Sequence, residues 1–357
     1  MVRIVPWWQL QWPNHMQPIN GLSDPCPGHR FAHLCSKKIE QLLPRQFPPR
    51  GRLGESASPN KQALESSARS TESMKYHRFL SIPVLVVLAT VGSIYYVTVF
   101  IFLEDWLGLQ SSAGSLNALI FTFLASLCFV SFFACVLTDP GGVPSSYVPD
   151  VEDHATSDQQ PIKTGIQRKR CDKCSVYKPP RTHHCRSCRR CILRMDHHFI
   201  WINNCVGLRN YKAFFVLVAY TTMASIYSSV AVLFARNGIH GKPTKPFFLN
   251  SFTLLFGLQS MILSGVVVVG LSMTLGTLFC WHVYLVVHNM TTIEHYEAIR
   301  AAWLAKKSGQ SYHHPFDVGA YKNLTLVLGP NMLKWLCPTA VSHIKDGITF
   351  PTAHFPR

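Results

Sequence analysis

The stretch Cys171–Cys205, CDKCSVYKPPRTHHCRSCRRCILRMDHHFIWINNC, holds six of the twelve cysteines in this chain. Its spacing repeats. Cys171, Cys174, His184 and Cys191 form the pattern C-x2-C-x9-H-x6-C, and adding 14 to each number gives Cys185, Cys188, His198 and Cys205, the same pattern again. Each unit offers three thiolates and one imidazole, a closed tetrahedral set for structural zinc. The units interleave, the second beginning before the first ends. A segment with so few apolar residues builds no core of its own, so two zinc ions are expected to hold it. Loss of one ligand should then unfold it. The other cysteines, Cys26, Cys35, Cys128, Cys135, Cys280 and Cys337, are scattered and read as small apolar residues or surface thiols. For Cys337, lipidation and burial are both open.

Two histidines of the stretch are left over. His183 reads as a neighbour of the metal ligands or a surface residue. His197 follows Asp196, and a carboxylate beside an imidazole that binds no metal fixes its tautomer and raises its basicity, as in a general-base pair. The same contact also serves as support for zinc ligands. The residues alone leave both readings open.

Outside this stretch the chain is apolar. Of 357 residues, 48% are hydrophobic and only 15% charged, and the mean hydropathy is positive. Four uncharged runs, Phe79–Leu103, Leu116–Leu137, Ala213–Ala235 and one within Phe252–Val287, each hold 20 or more residues. That is enough to cross a hydrocarbon core of roughly 30 Å. The fourth run, at 36 residues, is overlong and is expected to begin with an interfacial piece or to tilt. The fold class expected is therefore an all-α polytopic membrane protein, with four transmembrane helices and a cytosolic, zinc-stabilised cysteine-rich domain between helices 2 and 3.

Orientation follows the basic residues. The segment Glu104–Ser115 has two acids and no Lys or Arg, whereas Thr138–Lys212 has 13 Lys/Arg against 7 Asp/Glu. Residues 1–78 have 11 against 5, and the tail after His288 has 7 against 4. Both termini and the central loop are thus expected on the cytosolic side. The net charge of +16 reads as a topology signal with attraction to anionic headgroups, and no nucleic-acid partner is expected. Arg186, Arg189, Arg190 and Arg194 are read as facing lipid headgroups or the phosphates of a soluble ligand. Transport is disfavoured because the first three runs carry no charged residue.

Residues 1–73, rich in Pro, Ser, Gln and Arg, read as a disordered extension, and translation starting at Met74 is an alternative that N-terminal peptide mass spectrometry would decide. Residues 74–138 hold helices 1 and 2, residues 139–212 the loop with its core at 168–212, and residues 213–288 helices 3 and 4. Residues 289–357 form a cytosolic tail. In the tail, TTIEHYEAIRAAWLAKK places Ile293, Tyr296, Ile299 and Trp303 at helical spacing, an amphipathic helix for the membrane surface or the zinc loop. LTLVLGPNMLKWLCP is similarly apolar and is expected at the interface.

These features together resemble the DHHC-type protein S-acyltransferases (palmitoyltransferases), plant members in particular. The resemblance rests on four spans, the quoted cysteine-rich loop, DPG at Asp139–Gly141 after span two, TTIE at Thr291–Glu294 after span four, and NLTLVLG at Asn323–Gly329. It runs from about Met74 to the C-terminus. It implies a two-step reaction in which a cysteine after Asp-His-His takes a fatty acyl group from acyl-CoA and passes it to a cysteine of a membrane-associated client protein. Asp196 and His197 would activate that thiol, Thr292 would orient Asp196, and Glu294 and Asn323 would support them. The resemblance also implies an endomembrane home: Golgi, ER or plasma membrane.

Phe199 stands where the family has its nucleophilic cysteine. Phenylalanine has no nucleophilic atom, and Cys191 and Cys205 are committed as zinc ligands, so ordinary autoacylation is expected to be lost from an otherwise intact framework. Three explanations compete. One is a pseudoenzyme acting as a client- or acyl-CoA-binding scaffold, and another is an error in the sequence, since Cys and Phe codons differ by one nucleotide. The third is direct transfer from acyl-CoA to a client thiol with His197 as base. The retained Asp196, His197, TTIE and Asn motif favour error or recent loss.

Overall fold

The computed structural model describes residues 80–144, 146–149, 169–238, 251–341, 343 and 346–353. The N-terminal extension and Met74 lie outside the described residues. Helix α1 (Ile82–Tyr96) has Pro83 in its first turn, where a missing N–H leaves nothing unpaired. It runs on through a π-helical stretch, Val97–Leu103, into one more turn at Glu104–Leu107. The first span therefore continues past Leu103 and carries Glu104 and Asp105 at its end. The Glu104 carboxylate accepts from the backbone N–H of Leu109 at 2.6 Å. Helix α2 (Ser112–Leu137) starts at Ser111, whose hydroxyl accepts from Gly114 N. Helices α3 (Tyr211–Gly238) and α4 (Ser251–Val287) follow the cysteine-rich segment.

Four segments of these helices, Ile82–Leu107, Ser112–Leu137, Tyr211–Ala235 and Ile262–Val287, are long and apolar enough to cross a membrane. The fourth helix is a single 37-residue rod, so its first turns precede the spanning segment. Large apolar side chains such as Leu119, Phe123, Val266 and Met273 are exposed. Such surfaces are stable when covered by lipid rather than water. Between the helices, hydroxyls find polar partners. Thr98 meets Ser228 at 2.6 Å, Tyr227 donates to Asn117 at 2.6 Å, and Ser229 meets Ser272 at 2.8 Å, the polar contacts that hold helices together in hydrocarbon.

Among the described residues between α2 and α3 lie three two-stranded antiparallel hairpins: β1 (Arg170–Cys171) with β2 (Val176–Tyr177), β3 (His183–Cys185) with β4 (Arg190–Ile192), and β5 (His197–Phe199) with β6 (Asn204–Val206). Their registers are copies displaced by 14 residues: Cys171 faces Val176, Cys185 faces Arg190 and Phe199 faces Asn204. Each tip carries a residue in the left-handed region at the matching position, Ser175, Arg189 and Asn203, with φ of 56°, 54° and 46°. The repeat in the sequence is thus a threefold hairpin repeat.

The hairpins are docked by buried amides. Asn204 Nδ2 donates to the carbonyls of Cys135 and Thr138 at 3.0 and 2.9 Å, satisfying carbonyls at the end of α2. Asn210 links the hairpins to the start of α3 by bonding Gly207 N and Cys205 O. Gly207 has no room for a side chain, since an added Cβ would stand 2.7 Å from Ile192 and 2.9 Å from the Pro140 carbonyl. After α4 come α5 (Thr292–Lys307), opened by a capping box between Thr291 and Glu294, and α6 (Ala320–Leu328). In α5 only part of the anticipated stripe is covered. Ile293 packs against the second cysteine cluster, while Ile299 and Trp303 are exposed.

Candidate active site and metal centres

The hairpin repeat explains the ligand spacing. The first hairpin lends a Cys-x2-Cys arm, the third a cross-strand His–Cys pair, and the second lends one of each, to successive clusters. Cys171 and Cys174 meet His184 and Cys191, which face each other across β3 and β4; Cys185 and Cys188 meet His198 and Cys205, which face each other across β5 and β6. In each cluster the four ligand atoms all lie within 4.8 Å of one another. In the first, the three sulfurs stand 3.1, 3.5 and 3.9 Å from His184 Nδ1. In the second, the sulfurs stand 3.5 to 3.7 Å from His198 Nδ1, and Cys188 and Cys205 are 3.4 Å apart. A tetrahedral zinc with bonds near 2.0–2.3 Å needs ligand atoms roughly 3.5–3.8 Å apart, so both donor sets fit it.

The third hairpin has no such arm. At the places of Cys171 and Cys174, or Cys185 and Cys188, it carries Phe199 and Ile202. The nucleophile position anticipated from the sequence is therefore the structural equivalent of a zinc ligand. Phe199 is half-buried. Its ring meets His197 edge-on with centroids 5.6 Å apart and Phe214 at 5.4 Å, and His197 meets Phe214 at 5.2 Å.

Asp196 is fully buried. Its Oδ2 accepts from His197 Nδ1 at 2.6 Å and from Thr292 Oγ1 at 2.7 Å, and its Oδ1 accepts from Thr292 N at 2.9 Å. Burial by itself raises this carboxyl. The hydrogen bond from His197 and its electrostatic attraction, with the neighbouring His282 and the Thr292 hydroxyl, outweigh it and hold the group well below the ordinary carboxylate range. A carboxylate on Nδ1 leaves the lone pair of the imidazole on Nε2, the arrangement of a general base.

Glu294 is buried beneath this pair. Burial raises its carboxyl, but Arg181 donates to both oxygens, from Nε at 2.6 Å and Nη2 at 2.7 Å, and the net direction is down. Arg181 also reaches Asn289, at Oδ1 and at the backbone carbonyl. Asn323 donates from Nδ2 to the Val287 carbonyl and to Asp317 Oδ1, both at 2.7 Å, tying α6 to the end of α4. At Asp139, Oδ2 accepts from Arg190 and Oδ1 from Gly141 N.

The reading of the four arginines needs correcting. Arg186 and Arg189 are exposed, but Arg190 is bound to Asp139, and Arg194 is buried with its guanidinium 4.9 Å from the centre of the Tyr211 ring. Nothing in residue order hints at this, because Tyr211 lies beyond the third hairpin and no periodicity links them. His282 was also missed. It is buried in α4, its Nδ1 lies 3.2 Å from Tyr211 Oη, and its ring centroid is 6.0 Å from that of His197. A signal existed there, since an ionisable residue inside an apolar span marks a functional site by default.

Comparison with known proteins agrees with this architecture. The DHHC palmitoyltransferase family model matches residues 164–299. Probable protein S-acyltransferase 15 of Arabidopsis thaliana is 59% identical over 262 residues, covering 72% of this chain and 97% of that protein. Probable protein S-acyltransferase 16 from the same plant is 47% identical over 273 residues, 76% of this chain and 93% of its own length. The human Palmitoyltransferase ZDHHC2 is 34% identical over 184 residues, 51% of this chain and 46% of that protein. The chain belongs to the DHHC protein S-acyltransferase family.

Proposed function

We propose that this chain binds fatty acyl-CoA and membrane-associated client proteins as its family does, without passing through a covalent acyl-enzyme. The observation that carries this reading is Phe199 itself. It sits beside an intact Asp196–His197–Thr292 arrangement and offers no atom that can attack a thioester. The two clusters, each bound as structural zinc, would keep the hairpins folded whatever occupies position 199. The basic flanks of the spans support a site at the cytosolic face of an endomembrane, where the acyl chain lies among α1–α4 and a client thiol approaches from the surface.

A second reading, direct transfer, is favoured by the geometry at His197. With Asp196 on Nδ1, Nε2 would take the proton of a client thiol. The thiolate would attack the thioester carbonyl, and the departing CoA thiolate would take the proton back from the imidazolium.

The test is an autoacylation assay in detergent with labelled palmitoyl-CoA, comparing the native chain with Phe199→Cys. Hydroxylamine-sensitive label on the variant alone is the expected result. Label on the native chain would sink the proposal by revealing another nucleophile. Adding a cysteine-containing client peptide separates the readings, because label on the peptide that disappears in His197→Ala identifies direct transfer.

A further inference from the structure

Three cations line a cavity of about 330 Å³ between the hairpins, the first residues of α3, helix α6 and the C-terminal strap Gly347–Pro351. Two of them are consumed. Arg181 spends its donors on Glu294 and Asn289. Lys212 donates to three carbonyls, those of Leu328, Lys334 and Ala340, at 2.7, 2.8 and 2.9 Å.

Arg194 is different. It is only 5% exposed, yet among the described residues its guanidinium donates one hydrogen bond, a long one of 3.3 Å from Nη2 to Asn289 Oδ1. A guanidinium has five N–H donors. None of the Arg194 nitrogens is both shut off from solvent and unpaired, so the remaining donors open onto the cavity, where an anion or ordered water can meet them. The nearby carboxylates do not supply the partner, since Glu294 is held by Arg181 and Asp196 by His197 and Thr292. The Tyr211 ring backs the fork on one side.

We propose that this cavity binds a phosphoryl group, gripped by the free fork of Arg194. The planar guanidinium matches two oxygens of such a group at once. The position fits as well. Tyr211 and Lys212 are the first residues of a spanning segment, the depth at which lipid phosphates lie. The phosphoryl group comes either from an anionic lipid or from free phosphate, and the two sources are separable.

The experiment is thermal unfolding of the full-length chain with inorganic phosphate in detergent, and in phosphatidylcholine nanodiscs with and without phosphatidic acid. The expected result is a saturable rise in Tm of about 3 °C. A rise with inorganic phosphate identifies the free ion as sufficient; a rise with phosphatidic acid alone identifies the lipid headgroup. In either case Arg194→Gln should abolish it. Thr349→Glu should do the same, because Thr349 is an exposed strap residue that lines the cavity and a carboxylate there would repel an anion entering it. Zinc content reports whether each variant is folded, and Thr349→Glu decides the matter if Arg194→Gln fails to fold. No shift with either probe, or a shift that persists in Thr349→Glu, overturns the proposal.

Discussion

The second and third hairpins share a backbone and part company at one side chain. Cys185 and Phe199 occupy equivalent places, each at the end of its first strand and each facing the residue five positions on. In the second hairpin that place faces a metal cluster completed by the next hairpin. After the third there is no next hairpin, and α3 takes its place. The same position therefore opens onto Phe214 and His197 instead of ligands. A cysteine there has no metal to bind and is free for chemistry; a phenylalanine there is a packing residue. One repeat can thus carry both a scaffold and a reactive position, and altering the second need not disturb the first.

The comparison breaks most severely at the metals. Cys188→Ser should reduce bound zinc from two ions per chain and unfold the second and third hairpins together, since structural zinc contributes about 10 kcal/mol or more. Metal analysis with limited proteolysis measures it, and a variant that kept both ions and its protease resistance would contradict the shared-hairpin scheme. Next comes Arg181→Ala, which leaves Glu294 buried without its partner. A loss of about 3–5 kcal/mol is expected, read as a lowered midpoint of unfolding. Phe199→Ala, in the position without a metal, should cost only about 1–2 kcal/mol for a half-buried ring, with zinc content unchanged. If Phe199→Ala releases zinc, position 199 is part of the metal scaffold and its separation from the ligands fails.

The smallest effect is on pH dependence. The folded Glu294 carboxyl lies below its ordinary value. Its stabilisation is therefore complete above about pH 4.5 and is lost as pH falls through the depressed folded value. Glu294→Gln cannot lose what it lacks, so the difference in Tm between the native chain and this variant should narrow on acidification below about pH 4.5. A constant gap would show that the carboxylate charge contributes nothing.

Much of this was legible in residue order. Local spacing encoded the eight cluster residues, and the spans announced themselves by length. The Thr291–Glu294 capping box and the Thr292–Asp196 contact fall on a motif whose role the family resemblance implied. The third repeat unit went unread because it keeps the strands and the left-handed Asn203 but not the cysteines that drew attention to the first two. Arg194, Lys212 and His282 were illegible or misread for a common reason: their partners lie between 17 and 128 positions away. Charge alone suggested an outward-facing Arg194 among headgroups or phosphates, and the apolar run seemed to begin after Lys212.

Lys212 also sets an order of events. It is 1% exposed, and its three acceptors are carbonyls 116, 122 and 128 residues further along the chain. In a chain made from its N-terminus, this ammonium is in place long before those carbonyls exist and must stay hydrated until they arrive. Tyr220, two turns deeper in α3, then donates to the Leu336 carbonyl at 2.8 Å. These parts of the tail settle last, on a helix end that has waited for them, so truncation before Leu328, which removes all three acceptors, would leave a charge stranded at the head of α3.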